Sequence, residues 1–134
     1  MGKMECKCLD SDILIDFLRG KEKAVRYIEI IKNNFRIVTT VVNAFELYYA
    51  AYKYNRDIEK IDEFMQSIEI LPFTLTEAKK AAEIEAKLES EGEMIGLKDV
   101  LISSIAISNS CNIVTGNVKH FSKILGVKVE NWRE

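Results

Sequence analysis

Short β-branched or apolar runs alternate along this chain with longer segments whose apolar residues recur every three or four positions. Residues 4–10 read as a first strand ending at Asp10, with a helix following through Ile13, Leu14, Phe17 and Leu18 and stopping at Gly20; Ser11 is placed to cap it. A second helix is expected over 21–33, with Val25, Ile28 and Ile31 turned inward. Arg36 to Thr39 is a second strand, and Thr39 or Thr40 caps a helix that sets Val41, Phe45, Tyr48 and Tyr52 on one stripe. Residues 57–68 read as a helix, Ile68 to Phe73 as a third strand ended by Pro72, and Thr76 opens a helix reaching Gly92. Asp99 begins a further helix, with Leu101, Ile102, Ile105 and Ala106 buried. Asn112 to Thr115 is a fourth strand and Val127 to Val129 a short fifth. Strands alternating with helices require crossover connections, so the class is α/β with a mainly parallel sheet of four to five strands. A chain of 134 residues fits a single domain over 1–134, and no linker, repeat or low-complexity stretch divides it.

An open parallel sheet carries its site at the carboxyl ends of its strands. Asp10 and the turn from Thr115 to Asn117 follow strands and so fall on that edge. Glu46 lies about two turns into the helix after the second strand and shares a face with Asn43. Asp99 sits in the first turn of its helix. Three carboxylates and an amide suit a hard divalent cation, Mg²⁺ or Mn²⁺, which takes oxygen ligands and keeps waters for substrate phosphates. Such an ion activates water and offsets charge building on a scissile phosphate. Without it the acids repel one another, and one carboxylate should tend toward protonation. Blander roles exist for each residue: a helix cap for Asp10, a solvated helix position for Glu46, a dipole partner for Asp99, and a turn for Asn117. His120 reads as a surface or cap residue, and the tyrosines at 48, 49, 52 and 54 as core and interface.

The net charge is -2, so bulk electrostatics does not mark the chain as a nucleic-acid binder. Contact with nucleic acid would need a bound metal or a local basic patch; Arg19, Lys21 and Lys119, with Lys23 and Arg26, are the candidates. Three cysteines, Cys6, Cys8 and Cys111, form an odd set that suits a reducing compartment, hence the cytoplasm. Cys6 and Cys8 would sit on one strand face about 6.6 Å apart, near the limit for a disulfide, and read best as small buried residues. No apolar run approaches the ~20 residues that span a bilayer.

Four segments carry a resemblance. The run from Cys8 through Asp10-Ser11-Asp12 to Gly20 resembles the opening motif of PIN-domain proteins, especially VapC-type toxins. Thr39 to Ala50, with its Glu46-Leu47 pair, is similar to the second motif. Gly96-Leu97-Lys98-Asp99-Val100 resembles the third, and Val114-Thr115-Gly116-Asn117 through Phe121 the fourth. The four occur in order and cover essentially the whole chain. The resemblance implies a three-layer α/β/α sandwich around a parallel sheet and magnesium- or manganese-dependent cleavage of RNA. It implies that Asp10, Glu46 and Asp99 bind the metal, with Asn117 as the fourth catalytic position where many relatives carry aspartate. Asp12 stands where asparagine is common and supplies a further acid; Thr115 orients the metal shell or a phosphate. Ala50, Ser103 and Ser104 are packing variants. In toxin relatives the protein is a homodimer, neutralised by a small VapB-like antitoxin whose segment occupies the acidic groove. Residues 45–54 and 57–68 are candidate dimer or antitoxin surfaces.

Other readings compete. Asp10-Ser11-Asp12 after a strand mimics the nucleophile motif of haloacid dehalogenase-type phosphatases, which also require a lysine and a later acidic pair. A receiver-like signalling domain places an aspartate similarly but predicts a different helix order. A PIN-fold RNA-processing nuclease and a PIN scaffold that binds RNA or a partner without cutting are the closest alternatives.

Overall fold

The computed structural model of the chain describes residues 4–134. Five strands form one sheet: β1 (Cys6–Leu9), β2 (Arg36–Thr40), β3 (Glu69–Leu71), β4 (Cys111–Val114) and β5 (Val129–Glu130). Their order is β3-β2-β1-β4-β5, and every neighbouring pair is parallel. Seven helices connect them: α1 (Ser11–Leu18), α2 (Glu22–Ile31), α3 (Val41–Lys53), α4 (Ile58–Ser67), α5 (Leu75–Ser90), α6 (Leu97–Ser108) and α7 (Val118–Phe121). The expected alternation holds, with boundaries shifted by one to three residues. Ser11 is the first helical residue rather than the cap, because the Asp10 carboxylate takes the capping role and accepts from the Ser11 N–H. Thr40 caps α3 by accepting from the Asn43 N–H.

Side-chain alternation along the strands divides the core into layers. Cys6, Cys8, Cys111 and Ile113 face one side, where they pack with Ile102, Ile105 and Ala106 of α6 and with Phe121. Leu9 and Val114 face the other, against Ile13 and Leu14 of α1, Ala24 and Ile31 of α2, Leu47 and Ala51 of α3, and Trp132. A third cluster joins α5 and α6 through Ala81, Ile84, Leu88 and Val100. The result is helices on both faces of a parallel sheet, a three-layer α/β/α sandwich.

From β1 the chain moves outward through β2 and β3, then returns to the opposite side of β1 for β4 and β5. The order therefore reverses between β1 and β4, and the crevice beyond their carboxyl ends is where such sheets bind ligands. A receiver domain has the order 2-1-3-4-5, so this sheet rules that reading out.

Two expectations are corrected. Cys6 and Cys111 are not free buried thiols: they are register partners in the β1–β4 ladder and form a disulfide, while Cys8 stays free and buried. Of the four tyrosines only Tyr48 packs against the core: Tyr49, Tyr52 and Tyr54 are exposed, as are Val41 and Phe45. Helix α3 carries two stripes, and the slimmer one, Ala44, Leu47 and Ala51, is the one that fits against the sheet.

The C-terminal residues are part of the core. Trp132 is 3% exposed within the α1–α3 layer, and its indole N–H donates to Asp12 Oδ2 at 3.2 Å. Trp132→Ala is expected to lower the unfolding free energy by about 3–5 kcal/mol, read from the denaturant midpoint at unchanged slope. A midpoint equal to that of the unsubstituted chain would show that the tail does not stabilise the fold.

Candidate active site at the carboxyl edge of the sheet

Asp10 leaves the end of β1 and is 8% exposed. Its Oδ1 accepts from the Ser11 N–H at 2.8 Å and from Asn43 Nδ2 at 3.0 Å, and its Oδ2 accepts from the Thr115 hydroxyl at 2.7 Å. Burial pushes this carboxyl up to about 6; the Thr115 and Ser11 hydrogen bonds oppose that, and the charges of Asp12 and Glu46 add to it. The protonation tendency expected of a crowded acid thus falls on Asp10.

Asn43 is wholly buried and fully used. Its Nδ2 donates to Asp10 and, at 2.9 Å, to Ser11 Oγ, and its Oδ1 accepts from the Thr40 hydroxyl at 2.7 Å. Ser11 then donates to Glu46 Oε1 at 2.8 Å, and the second Glu46 oxygen faces Lys98 Nζ at 3.5 Å. Sequence reasoning placed Asn43 only on the same helical face as Glu46. Its position three residues after the cap and three before Glu46 was the available signal.

The other arm runs through β4. Thr115, wholly buried, donates to Asp10 and accepts from the Asn117 N–H at 2.9 Å. The Asn117 amide meets His120 Nδ1 at 2.9 Å, and the same nitrogen lies 3.1 Å from Asp99 Oδ2. The ring nitrogen serves one partner at a time: carrying a proton it donates to Asp99 Oδ2, and without one it accepts from Asn117 Nδ2. His120 is therefore not a bystander: it joins Asp99 of α6 to Asn117 ahead of α7. A continuous polar chain runs Glu46–Ser11–Asn43–Asp10–Thr115–Asn117–His120–Asp99.

Asp12 stands apart. Two residues on from Asp10 around a helical turn, its Oδ2 points to the Gly116 N–H at 2.7 Å, the Trp132 indole at 3.2 Å and Arg133 Nη2 at 3.7 Å. Of the basic candidates, Arg19 lines a groove beside α1, Lys21 precedes α2 and Lys119 lies exposed in α7. Among the described residues, the basic side chains that face Glu46, Asp99 and Asp12 are instead Lys98, His120 and Arg133, and none faces Asp10.

No three histidine, cysteine, aspartate or glutamate side chains are gathered tightly enough among the described residues to hold one ion. The donor chemistry nonetheless fits a hard cation. Asp10, Glu46 and Asp99 are oxygen donors on one edge, and Asp10 is a buried acid whose hydrogen-bond partners are all neutral. A haloacid dehalogenase-type phosphatase would set a lysine against Asp10; the lysine here pairs with Glu46.

The PIN-domain family model matches residues 7–125. The chain is 35% identical to the ribonuclease VapC2 of Rickettsia felis over 75% of this chain and 77% of that one. It is 29% identical to the tRNA(fMet)-specific endonuclease VapC of Shigella flexneri over 92% of this chain and 96% of that one. In structure it is similar to a chain of VapBC2 from Rickettsia felis bound to a promoter DNA fragment, with a TM-score of 0.86 and 27% identity over 95% of this chain and 98% of that one. With its sheet order, its carboxylate edge and these matches in agreement, the chain belongs to the PIN-domain family, alongside its VapC members.

Proposed function

We propose that this protein is a divalent-metal-dependent endoribonuclease of the VapC type, the toxin of a toxin–antitoxin pair acting in the cytoplasm. The observation that supports this best is that Asp10, Glu46 and Asp99, from three separate segments of a PIN-family chain, are tied into one polar network at the sheet's switch point. Asp10, Glu46 and Asp99 would hold Mg²⁺ or Mn²⁺, with Asn117 offering a neutral oxygen. When bound, such an ion supplies an activated water and offsets charge on the scissile phosphate. Thr115 and Asn43 keep the Asp10 carboxylate turned into the crevice, and Ser11 does the same for Glu46. The neutral Asn117, engaged with His120, favours a second reading: a PIN scaffold that binds RNA or a partner with little cutting.

Purified protein freed of any partner is expected to cut a mixed RNA pool with Mg²⁺ or Mn²⁺ and not with EDTA. Asp99→Asn is expected to abolish cutting while keeping the melting temperature, since it removes a charge from an acidic edge. Cutting that survives in Asp99→Asn would remove that residue from the site. Activity that appears only in Asn117→Asp would establish the scaffold reading.

The Asp10 carboxyl gives a pH dependence with a definite sign. Its ordinary value of 3.8 rises to about 6 in the fold, so between these values the folded state binds more protons than the unfolded chain. Metal-free stability is therefore expected to fall as pH rises from about 4 to about 6, by roughly 3 kcal/mol, and Asp10→Asn should flatten that slope. A cation competes with the proton, so the rise in melting temperature with Mg²⁺ should be larger above pH 6 than below it. Equal Mg²⁺ shifts on both sides of that pH would place the cation away from Asp10.

The partners implied by the VapC relatives are a second copy of this chain and a small VapB-like antitoxin. The exposed stripe of Val41, Phe45, Tyr49 and Tyr52, with Phe45 and Tyr49 stacked at 6.1 Å, is the surface best suited to self-association. A groove of about 380 Å³ between α1, α3 and α4, lined by Ile15, Leu18, Leu47, Ala51 and Ile61, is the apolar surface left for the antitoxin. Tyr49→Ala and Tyr52→Ala are expected to weaken self-association by sedimentation or to weaken antitoxin capture. If both leave sedimentation and capture untouched, the interfaces lie elsewhere.

A further inference from the structure

One cation at the edge of the acidic site is fixed in place yet has its donors unused. The Arg133 guanidinium stacks on the Trp132 indole, 4.7 Å from the ring centre, and Trp132 is itself anchored in the core. The Arg133 backbone is tied at both ends: its N–H donates to Asn131 Oδ1 at 3.0 Å, and its carbonyl accepts from Lys23 Nζ. Its side chain lies over Gly116, in the loop that carries Thr115 and Asn117. A Cβ on Gly116 would collide with Arg133 Nε and come within 2.8 Å of Arg133 Cδ and of Asp12 Oδ2. Gly116 has no left-handed backbone to explain it, so the absent side chain makes room for the arginine.

The bland role for Arg133 is to neutralise Asp12, but the geometry does not require it. Asp12 Oδ2 already accepts hydrogen bonds from the Gly116 N–H and the Trp132 indole, and Arg133 Nη2 stands 3.7 Å away, beyond hydrogen-bonding distance. Among the described residues the Arg133 side chain donates no hydrogen bond, and it is 53% exposed. Arginine's planar fork of donors matches phosphate oxygens in pairs.

We propose that Arg133 is a substrate-binding residue that grips an RNA phosphate next to the Asp10–Asp99 site, an inference that rests on the ribonuclease reading above. Arg133 is preset by Trp132 and Gly116, so little ordering is needed when the phosphate arrives. Asp12 holds the Gly116 loop and the Trp132 indole on which the guanidinium stacks.

The test uses the full chain carrying Asp99→Asn, a short fluorescent single-stranded RNA of mixed sequence, and anisotropy across a salt series with Mg²⁺ present. Adding Arg133→Gln is expected to weaken RNA affinity roughly tenfold or more and to reduce the slope of log affinity against log salt by about 0.7. Arg133→Lys should keep the slope and recover part of the affinity, because charge is retained and the fork is lost. In the cutting enzyme, Arg133→Gln should raise KM more than it lowers kcat. An unmoved affinity and slope in Arg133→Gln, or an affinity loss with the slope intact, would reduce Arg133 to a structural anchor and overturn the proposal. Cutting by the unsubstituted chain with affinity and slope unmoved in Arg133→Gln removes only the arginine. Affinity and slope changes as expected, with no cutting by any form, remove the ribonuclease reading and leave the phosphate contact standing.

Discussion

The burial of one carboxylate, Asp10, organises the rest of the site. It sits where the sheet order reverses, at the end of the strand flanked by β2 and β4, so segments from both halves of the chain must reach it. A buried carboxylate without partners is costly, and its remedy is hydrogen-bond donors. Three neutral donors converge: the Ser11 N–H, Asn43 and Thr115. Each also fixes another part of the site. Asn43 orients Ser11 and hence Glu46, and Thr115 receives the Asn117 N–H and so sets the turn into α7. The carboxyl still titrates high, at about 6, so the donors do not fully offset burial. Burial that three neutral donors only partly offset is the kind of local inconsistency expected at a candidate functional position.

What could be read from the sequence was what depends on local pattern. The α/β alternation, the parallel sheet and the ends of the strands follow from periodicity and turn residues, and they alone put Asp10 and Thr115 on one edge. Pairing across the sheet was not readable. Cys6 and Cys111 are 105 residues apart, and their contact depends on the register of β1 against β4, which no local signal fixes. Only Cys6 and Cys8, neighbours in sequence, invited a distance argument, and that argument concerned the wrong pair.

Two other misreadings have the same physical origin, side-chain direction on a helix. Asp12 is two positions from Asp10, and residues two apart do not face each other around a helical turn. Its carboxylate therefore turns to Gly116 and the C-terminal tail, while Asp10 turns to Asn43 and Thr115. On α3 both stripes are apolar, and periodicity drew attention to the bulkier one, Val41, Phe45, Tyr48 and Tyr52, while the face of Ala44, Leu47 and Ala51 is inside. Packing chose the alanine-rich face because it lets the helix approach the sheet closely, and the bulky aromatics were left outward. His120 was read as a surface or cap residue and is half-exposed, but its link between Asp99 and Asn117 carries no sequence pattern. Its role exists only once α6 has been brought beside the β4–α7 turn.

The charges of the site then divide in a way that bears on what it can bind. Glu46 faces Lys98, Asp99 faces His120 and Asp12 faces Arg133, and these three basic side chains are 56%, 50% and 53% exposed. Half-exposed pairs of this kind contribute little, on the order of 1 kcal/mol or less each, because water screens them and long side chains lose entropy in forming them. Asp10 alone has no cationic partner among the described residues, and it alone is deeply buried. A divalent ion binding at this edge would meet one acid with no cation to displace and, at Glu46, one whose half-exposed lysine is weakly held. Lys98 and His120 are the basic side chains that stand beside the two more exposed acids, Glu46 and Asp99. The arrangement thus combines a neutral hydrogen-bonded scaffold around the buried acid with half-exposed basic side chains around the others. Binding a cation and an anionic substrate together is what that division of charge favours.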